Sequence, residues 1–291
     1  MLSKTIVRLF LLLLFYCFHA VVFAQSSCNI RAVSAQSARL SAQAGNHLER
    51  WLNNTQAKVA IIARYGQHLE HYNIVYSHAA FAVKGEDNRW QVYHLLNTCP
   101  KNTSYLYQEG LGLFLISNPK SYKVAVVIPH EAIQEKLQAI ISEPQGLNLM
   151  YDARYSAISF PFSTLRQNSN GWILEMFALA AAENRIKGRQ QAQNWLKAQH
   201  YQPSVLRENV LKQFIASLAV PNISLQGHPQ ELLQKKEIWV NSGDSVLNFV
   251  AEYALPVPDC QSENWKDHIC IVDTLPNLSQ VTPKNNVVQN N

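Results

Sequence analysis

The amino-acid sequence predicts an α+β fold, in which an antiparallel sheet in the N-terminal half packs against helices of the C-terminal half. Segments rich in β-branched and aromatic residues are concentrated before residue 130. Segments whose apolar residues recur at helical spacing dominate after it. Such segregation of strands and helices is typical of the α+β class, and no internal repeat indicates a solenoid.

The N-terminal half begins with a predicted helix and continues with strands. A single apolar face predicts the helix over residues 32–53. Strands are predicted over 58–64, 76–83, 90–97 and 122–128, and a proline stops the last of them. The polar, glycine-containing loop between the second and third strands indicates a hairpin.

The C-terminal half reads mainly as helix. Apolar residues at helical spacing predict helices over 131–142, 172–186, 189–200 and 206–219. Residues 237–253 are expected to add a final strand and a short helix.

Each strand of the predicted hairpin carries a histidine. If the hairpin is centred near Glu86, His78 faces His94, whereas a slip of one residue would place Tyr93 or Leu95 opposite. One of two adjacent imidazoles can carry a proton while the other orients it. The sequence therefore predicts that one of His78 and His94 is a base and that the other orients it.

Ser169 is the candidate nucleophile, because it precedes a run with helical apolar spacing. A helix start offers unpaired backbone N–H groups and a positive dipole end, and both stabilise an oxyanion. The alternative is a helix cap, for which Asn168, Ser169 and Asn170 are all suited. A serine hydroxyl is so weakly acidic that a catalytic Ser169 requires His78 as its base.

Three further residues are candidate ligand-binding residues. Arg64 ends a strand and could bind a carboxylate with two hydrogen bonds, or simply reach solvent. Gln167 could donate a hydrogen bond to an oxyanion. Trp172 is expected in the core or in the wall of a cleft.

Five strings of this sequence together resemble an uncharacterised bacterial family, domain of unknown function 2145. The resemblance covers most of the chain and implies an exported bacterial protein without an assigned activity. The strings are KVAIIARYGQHL (58–69), YSHAAFAV (76–83), WQVYHLLNTC (90–99), YQEGLGLF (107–114) and QNSNGWILE (167–175).

More distantly, the sequence resembles the circularly permuted papain-like hydrolases of the NlpC type. The shared order is a histidine on one strand, a polar residue on the next strand and a nucleophile at the start of a helix. That resemblance implies a permuted papain-like fold with His78 as the base, His94 as its orienter and Ser169 in the nucleophile position. It also implies an envelope amide or ester as substrate, above all a peptidoglycan peptide. Serine replaces the usual cysteine, so the alternative is a non-catalytic binding or scaffolding protein on a degenerate fold.

The N-terminus predicts export to the periplasm or the medium. Lys4 and Arg8 precede a mainly apolar run, and residues 1–24 have the layout of a secretory signal peptide. The run is shorter than the roughly 20 residues of a spanning helix, which disfavours a membrane anchor. The remaining chain is expected to form one globular domain over 25–275, and the Asn- and Gln-rich tail 276–291 is expected to be disordered.

Removal of the signal would leave four cysteines in an oxidising compartment, where two disulfides are expected. The favoured pairing joins Cys260 to Cys270 and Cys28 to Cys99, although four cysteines allow three pairings. The functional alternative is that Cys99, close to His94, is a free nucleophile.

Neither a metal nor another cofactor is predicted. His68 and His71, with the hairpin histidines, could form a zinc site, but the acidic ligand and the spacing of known zinc motifs are missing. Of the 25 basic residues two lie in the predicted signal, which leaves 23 against 20 acidic ones. A charge this small argues against a nucleic-acid partner.

Overall fold

The structure is a computed structural model and describes residues 33–65, 69, 73–98, 101–116, 121–182, 185–207, 222–257, 260 and 268–275. One antiparallel sheet of six strands is its framework. The described strands are β1 (Val59–Arg64), β2 (His78–Lys84), β3 (Trp90–Thr98), β4 (Thr103–Gly110), β5 (Lys123–Val127), β6 (Ser204–Arg207), β7 (Glu237–Val240) and β8 (Ile269–Asp273). The sheet order is β4-β3-β2-β1-β5-β8, and β6 pairs separately with β7.

Helices cover both faces of the large sheet. They are α1 (Ala35–Asn54), α2 (Leu111–Leu115), α3 (Glu131–Ser142), α4 (Pro144–Asn148), α5 (Ser169–Ala181), α6 (Arg189–Ala198), α7 (Gln230–Gln234) and α8 (Gly243–Val250), followed by a 3-10 turn at Ala251–Tyr253. The α+β class is confirmed. The sheet lies between two helical layers, with α1 and α2 on one face and α3, α5 and α8 on the other.

Strand β1 shows how the two layers share one sheet. Ile61 and Ala63 are buried against the layer that contains α5, while Ala60 and Ile62 are buried against α1 and α2. A strand that is covered on both faces has no polar alternation, which explains its continuous apolar run. The chemistry of a site on this sheet therefore depends on which face a strand residue occupies.

Helices α1 and α2 meet through glycines. A Cβ built on Gly45 would lie 2.5 Å from the backbone nitrogen of Gly112. Only a residue without a side chain permits this approach. The contact holds α2 against the sheet, where its Phe114 is fully buried.

One expectation for the later part of the chain is wrong. Leu206 does not begin a helix but lies in β6, paired with Ile238 of β7; the rest of the predicted helix lies outside the described residues. Strands β4 and β8 occupy the two edges of the sheet, and neither was predicted. The predicted strand and short helix near the C-terminus are observed as β7 and α8.

The disulfide between Cys260 and Cys270 is confirmed, and it ties residue 260 to edge strand β8. Cys28 and Cys99 lie outside the described residues, as do the predicted signal 1–24 and the tail 276–291. Across the part of the chain that the structure describes, no helix combines the length and apolarity needed to cross a membrane.

Candidate functional site

The two hairpin histidines meet, although the predicted register is wrong. Phe81 pairs with Tyr93, so the hairpin is centred one residue after Glu86. Each residue of β2 therefore faces a position of β3 two residues beyond its predicted partner. An even shift leaves every side chain on its original face. The rings therefore still meet diagonally, with His78 Nε2 2.9 Å from His94 Nδ1.

Glu109 of β4 adds a carboxylate to this pair. Its Oε1 lies 3.1 Å from His94 Nε2, but the geometry does not satisfy a hydrogen bond, so the contact is electrostatic. A carboxylate at this position favours a proton on His94 Nε2. His94 Nδ1 then accepts from His78 Nε2, which leaves the free lone pair of His78 on Nδ1.

Burial makes His78 a neutral imidazole. The residue is 9% exposed, and burial, followed by the charge of Arg64 and the neighbouring His94, holds the pKa of His78 well below its usual range. A neutral imidazole at pH 7 can accept a proton. His78 therefore has an unprotonated ring nitrogen, while its lowered pKa makes it a weaker base than a free imidazole.

Arg64 lies directly beside the imidazole pair. It is the cross-strand partner of His78, and its guanidinium carbon is 5.1 Å from the centre of the Phe114 ring. Phe114 also packs against both imidazoles, with centroid separations of 5.9 Å to His78 and 5.7 Å to His94. Burial lowers the pKa of Arg64 to about 10, while Glu109 acts in the opposite direction.

Ser169 is the first residue of α5, but it is not the cap. The cap is Asn168, whose side chain accepts from the N–H of Gly171. Burial raises the pKa of Tyr155, and a hydrogen bond with Ser169 opposes that rise. The Ser169 hydroxyl thus lies close enough to Tyr155 to act on its pKa, and within the described residues no hydrogen bond joins it to His78.

Asn170 attaches the start of α5 to the strand of the base. Its Oδ1 accepts from the N–H of Ala79 at 2.8 Å, and its Nδ2 donates to the carbonyl of Ser77 at 3.0 Å. The side-chain amide therefore binds β2 immediately before and after His78. Sequence reasoning treated Asn170 only as a possible cap, and nothing in the sequence indicated this long-range contact.

Within the described part of the chain, two backbone donors of the first turn of α5 have no acceptor. The N–H groups of Gly171 and Trp172 bond to Asn168. In the described structure the N–H groups of Ser169 and Asn170 have no hydrogen-bond partner, although both residues are buried. Unpaired donors of this kind can receive an oxyanion.

Gln167 is held by the interior rather than presented to a ligand. Its Nε2 donates to Glu175 Oε2 at 2.6 Å and to the carbonyl of Met150 at 2.7 Å, and its Oε1 accepts from the N–H of Asp152 at 2.9 Å. Glu175 also forms a buried ion pair with Arg189, at 2.8 Å. The predicted oxyanion contact would require Gln167 to leave this network.

Trp172 lies in the core, where it is fully buried and its ring meets Phe81 edge to face at 5.7 Å. It is not part of a cleft wall. Phe81 and the body of α5 occupy the face of the sheet opposite Phe114. The three predicted catalytic residues are consequently divided into a joined pair, His78 and His94, and a separate hydroxyl on Ser169.

The zinc alternative gains no support from the described residues, where no group of three or more His, Cys, Asp or Glu side chains could hold a metal ion. His68 and His71 lie outside that part of the chain.

Comparison with known proteins identifies one family. The model of a family described as "Uncharacterized protein conserved in bacteria (DUF2145)" matches residues 51–250. No curated protein and no solved structure gives a significant match.

Proposed function

The chain belongs to this bacterial family, DUF2145, and on that premise we propose that it is an exported acyl-transfer hydrolase acting on an amide or ester of the cell envelope. The observation that carries the proposal is the buried hydrogen bond between His78 and His94, with the carboxylate of Glu109 beside His94. This is the arrangement of a base, its orienter and a charged anchor.

A purely structural role explains the pair poorly. Ionisable groups are costly to bury, and apolar residues of similar size often give equal or greater stability. His94 is 1% exposed and His78 is 9% exposed, yet both retain polar rings. Perturbed ionisable groups that are held together in this way are concentrated at functional sites.

In the proposed reaction Ser169 is the nucleophile. His78 Nδ1 takes the hydroxyl proton as the Ser169 oxygen forms a bond to the substrate carbonyl carbon. The free N–H groups of Ser169 and Asn170 stabilise the resulting oxyanion. The proton then passes to the leaving amine or alcohol as its bond to carbon breaks, and water hydrolyses the acyl-enzyme.

This reaction requires the Ser169 side chain to leave Tyr155. A change of staggered rotamer turns the hydroxyl away from Tyr155. Its approach to His78 also requires the start of α5 to move, because the imidazole pair packs on the Phe114 face of the sheet and the body of α5 lies on the opposite face. The Asn170 contacts with Ser77 and Ala79 support the proposal, because they hold the adjacent residue against the strand of His78.

Export is supported by the disulfide between Cys260 and Cys270, because such bonds persist mainly in oxidising compartments. The proposed substrate class, with peptidoglycan peptides foremost, follows from the more distant resemblance of the sequence to NlpC-type hydrolases.

A second candidate is a non-catalytic binding or scaffolding protein. The observation that favours it is that the Ser169 hydroxyl forms no hydrogen bond with His78 in the described structure and acts instead on the pKa of Tyr155. In that case the imidazole pair would contribute to ligand binding alone.

The test compares wild type, Ser169→Ala and His78→Ala on short-chain p-nitrophenyl esters, N-acylated alanine amides and purified peptidoglycan. Ser142→Ala is the matched control, because Ser142 is exposed at the end of α3. We expect each site substitution to lower turnover at least about 100-fold, the usual contribution of a general base, and the control to leave it unchanged. Unchanged turnover in Ser169→Ala would reject the proposal, while ligand binding without turnover in every variant supports the second candidate.

A further inference from the structure

Arg64 is a buried cation without an anionic partner in the described structure. Its residue exposure is 8%, and its Nε makes no hydrogen bond. Other arginines of the described chain form ion pairs, such as Arg189 with Glu175 and Arg207 with Glu237. None of the described carboxylates lies within ion-pair distance of Arg64.

The missing partner is unusual because buried charges are normally paired. The lowered pKa of about 10 still leaves the guanidinium charged at neutral pH. Glu109 attracts Arg64 over a longer distance, but its carboxylate contacts His94. Arg64 therefore keeps a buried positive charge beside the imidazole pair that no described carboxylate contacts directly.

The surroundings of Arg64 hold its guanidinium in one place. The ring of Phe114 lies under it, and His78 is its direct partner across the β1–β2 ladder. Arginine stacks on aromatic faces, and its planar fork matches a carboxylate in a bidentate arrangement.

We propose that Arg64 binds a carboxylate of the ligand, so that the molecules recognised at the imidazole pair carry a free carboxylate group close to the atoms that meet His78. Calling that ligand a substrate rests on the hydrolase proposed above, whereas the binding does not. A singly charged carboxylate is favoured over a phosphate dianion, because Glu109 is close enough to repel additional negative charge.

The experiment uses N-acetylalanine, in both enantiomers, as the carboxylate probe and N-acetylalaninamide as its neutral counterpart. Each is titrated at pH 7 into the full chain labelled with ¹⁵N-histidine, and the His78 and His94 ring signals are followed by NMR. We expect a saturable shift with the acid and at least about tenfold weaker binding of the amide, given the strength of charge-assisted hydrogen bonds. Equal binding of acid and amide would overturn the proposal, and so would the absence of a saturable shift with either.

Variants identify the residue responsible. Arg64→Met is expected to lose the preference for the acid, and Arg64→Lys to bind the acid more weakly than wild type because lysine lacks the planar fork. Arg89→Met is the matched control, since Arg89 is 81% exposed in the β2–β3 loop, and it should bind as wild type does. A preference for the acid that persists in Arg64→Met overturns the proposal, as does tighter binding of inorganic phosphate. The comparison of acid with amide in wild type holds even if an Arg64 variant fails to fold.

The same titration on Ser169→Ala separates this inference from the hydrolase. If the protein binds N-acetylalanine selectively but shows no turnover, the proposed carboxylate site is supported and only the proposed hydrolase activity is rejected. If esters without a carboxylate are hydrolysed as fast as esters that carry one, the proposed hydrolase activity is supported and the carboxylate site is rejected.

Discussion

Replacement of Asp244 by asparagine tests how burial affects a carboxylate close to the candidate site. Asp244 lies in the first turn of α8, and its Oδ2 accepts from the N–H groups of Val75 at 2.9 Å and Tyr76 at 2.8 Å. Burial raises the pKa of Asp244 to about 6 from 3.8, although these hydrogen bonds act in the opposite direction. Burial therefore outweighs the local donors.

The sign of the effect follows from proton binding. Between about pH 4 and pH 6 folded Asp244 holds a proton that the unfolded chain has lost, so its contribution to stability is lost as the pH rises through the folded pKa. At 1.36 kcal/mol per pKa unit, the ionised carboxylate costs about 3 kcal/mol at pH 7. Asparagine keeps an oxygen acceptor for both N–H groups without the charge, so Asp244→Asn should raise stability at pH 7 by up to about 3 kcal/mol.

Urea unfolding between pH 4 and pH 8 measures this difference. The gain of Asp244→Asn over wild type should be small at pH 4, grow toward pH 6 and then level off. Asp87→Asn is the control, because the Asp87 side chain is 56% exposed in a loop, and it should change stability little. A variant that is less stable than wild type by the same amount at every pH would refute the reasoning.

Three further substitutions test the packing around the site, each by urea or thermal unfolding. Glu175→Ala should cost about 3–5 kcal/mol, because Gln167, Gln193 and the buried guanidinium of Arg189 all lose the acceptor they share, although Arg189 keeps Asp152; a loss below 1 kcal/mol would contradict a buried pair. Cys260→Ser should remove about 2–3 kcal/mol, and no further loss should follow in the double variant with Cys270→Ser. Gly45→Ala should cost about 1–3 kcal/mol through overpacking against Gly112, and an unchanged midpoint would show that α1 and α2 can separate freely.

The hairpin shows how far local sequence signals determine structure. The polar loop and the two strands were predictable, but their register depends on the turn. Gly85 N–H donates to the carbonyl of Arg89 at 2.8 Å, and Asn88 adopts a positive φ of 61°. That geometry moves the centre of the hairpin by one residue. Both histidines nevertheless lie on the predicted face of the sheet, because strand side chains alternate with period two and the shift is even.

The edge strands were missed for a different reason. Strand β4 carries polar and exposed aromatic residues, including Tyr105 and Tyr107, so it lacks an apolar alternation. Strand β8 joins the sheet only through its pairing with β5, about 145 residues earlier in the chain. Helix α3 was predicted with the bounds that the structure gives, because its apolar positions alone define it.

The site was predictable where it depends on strand alternation and not where it depends on tertiary contacts. His78 and His94 could be paired from the sequence. Glu109 could not, because β4 lacks the apolar alternation that predicts a strand, and neither could the contacts of Tyr155 and Asn170 with their distant partners.

The most direct test of the central claim is reaction of the protein with a fluorophosphonate, followed by intact-mass and peptide analysis. The account predicts one adduct on Ser169 that is absent in Ser169→Ala and at least about 100-fold slower to form in His78→Ala, the usual contribution of a general base. A folded wild-type protein that forms no adduct, or forms it at another residue, would contradict the claim that Ser169 and the imidazole pair act together.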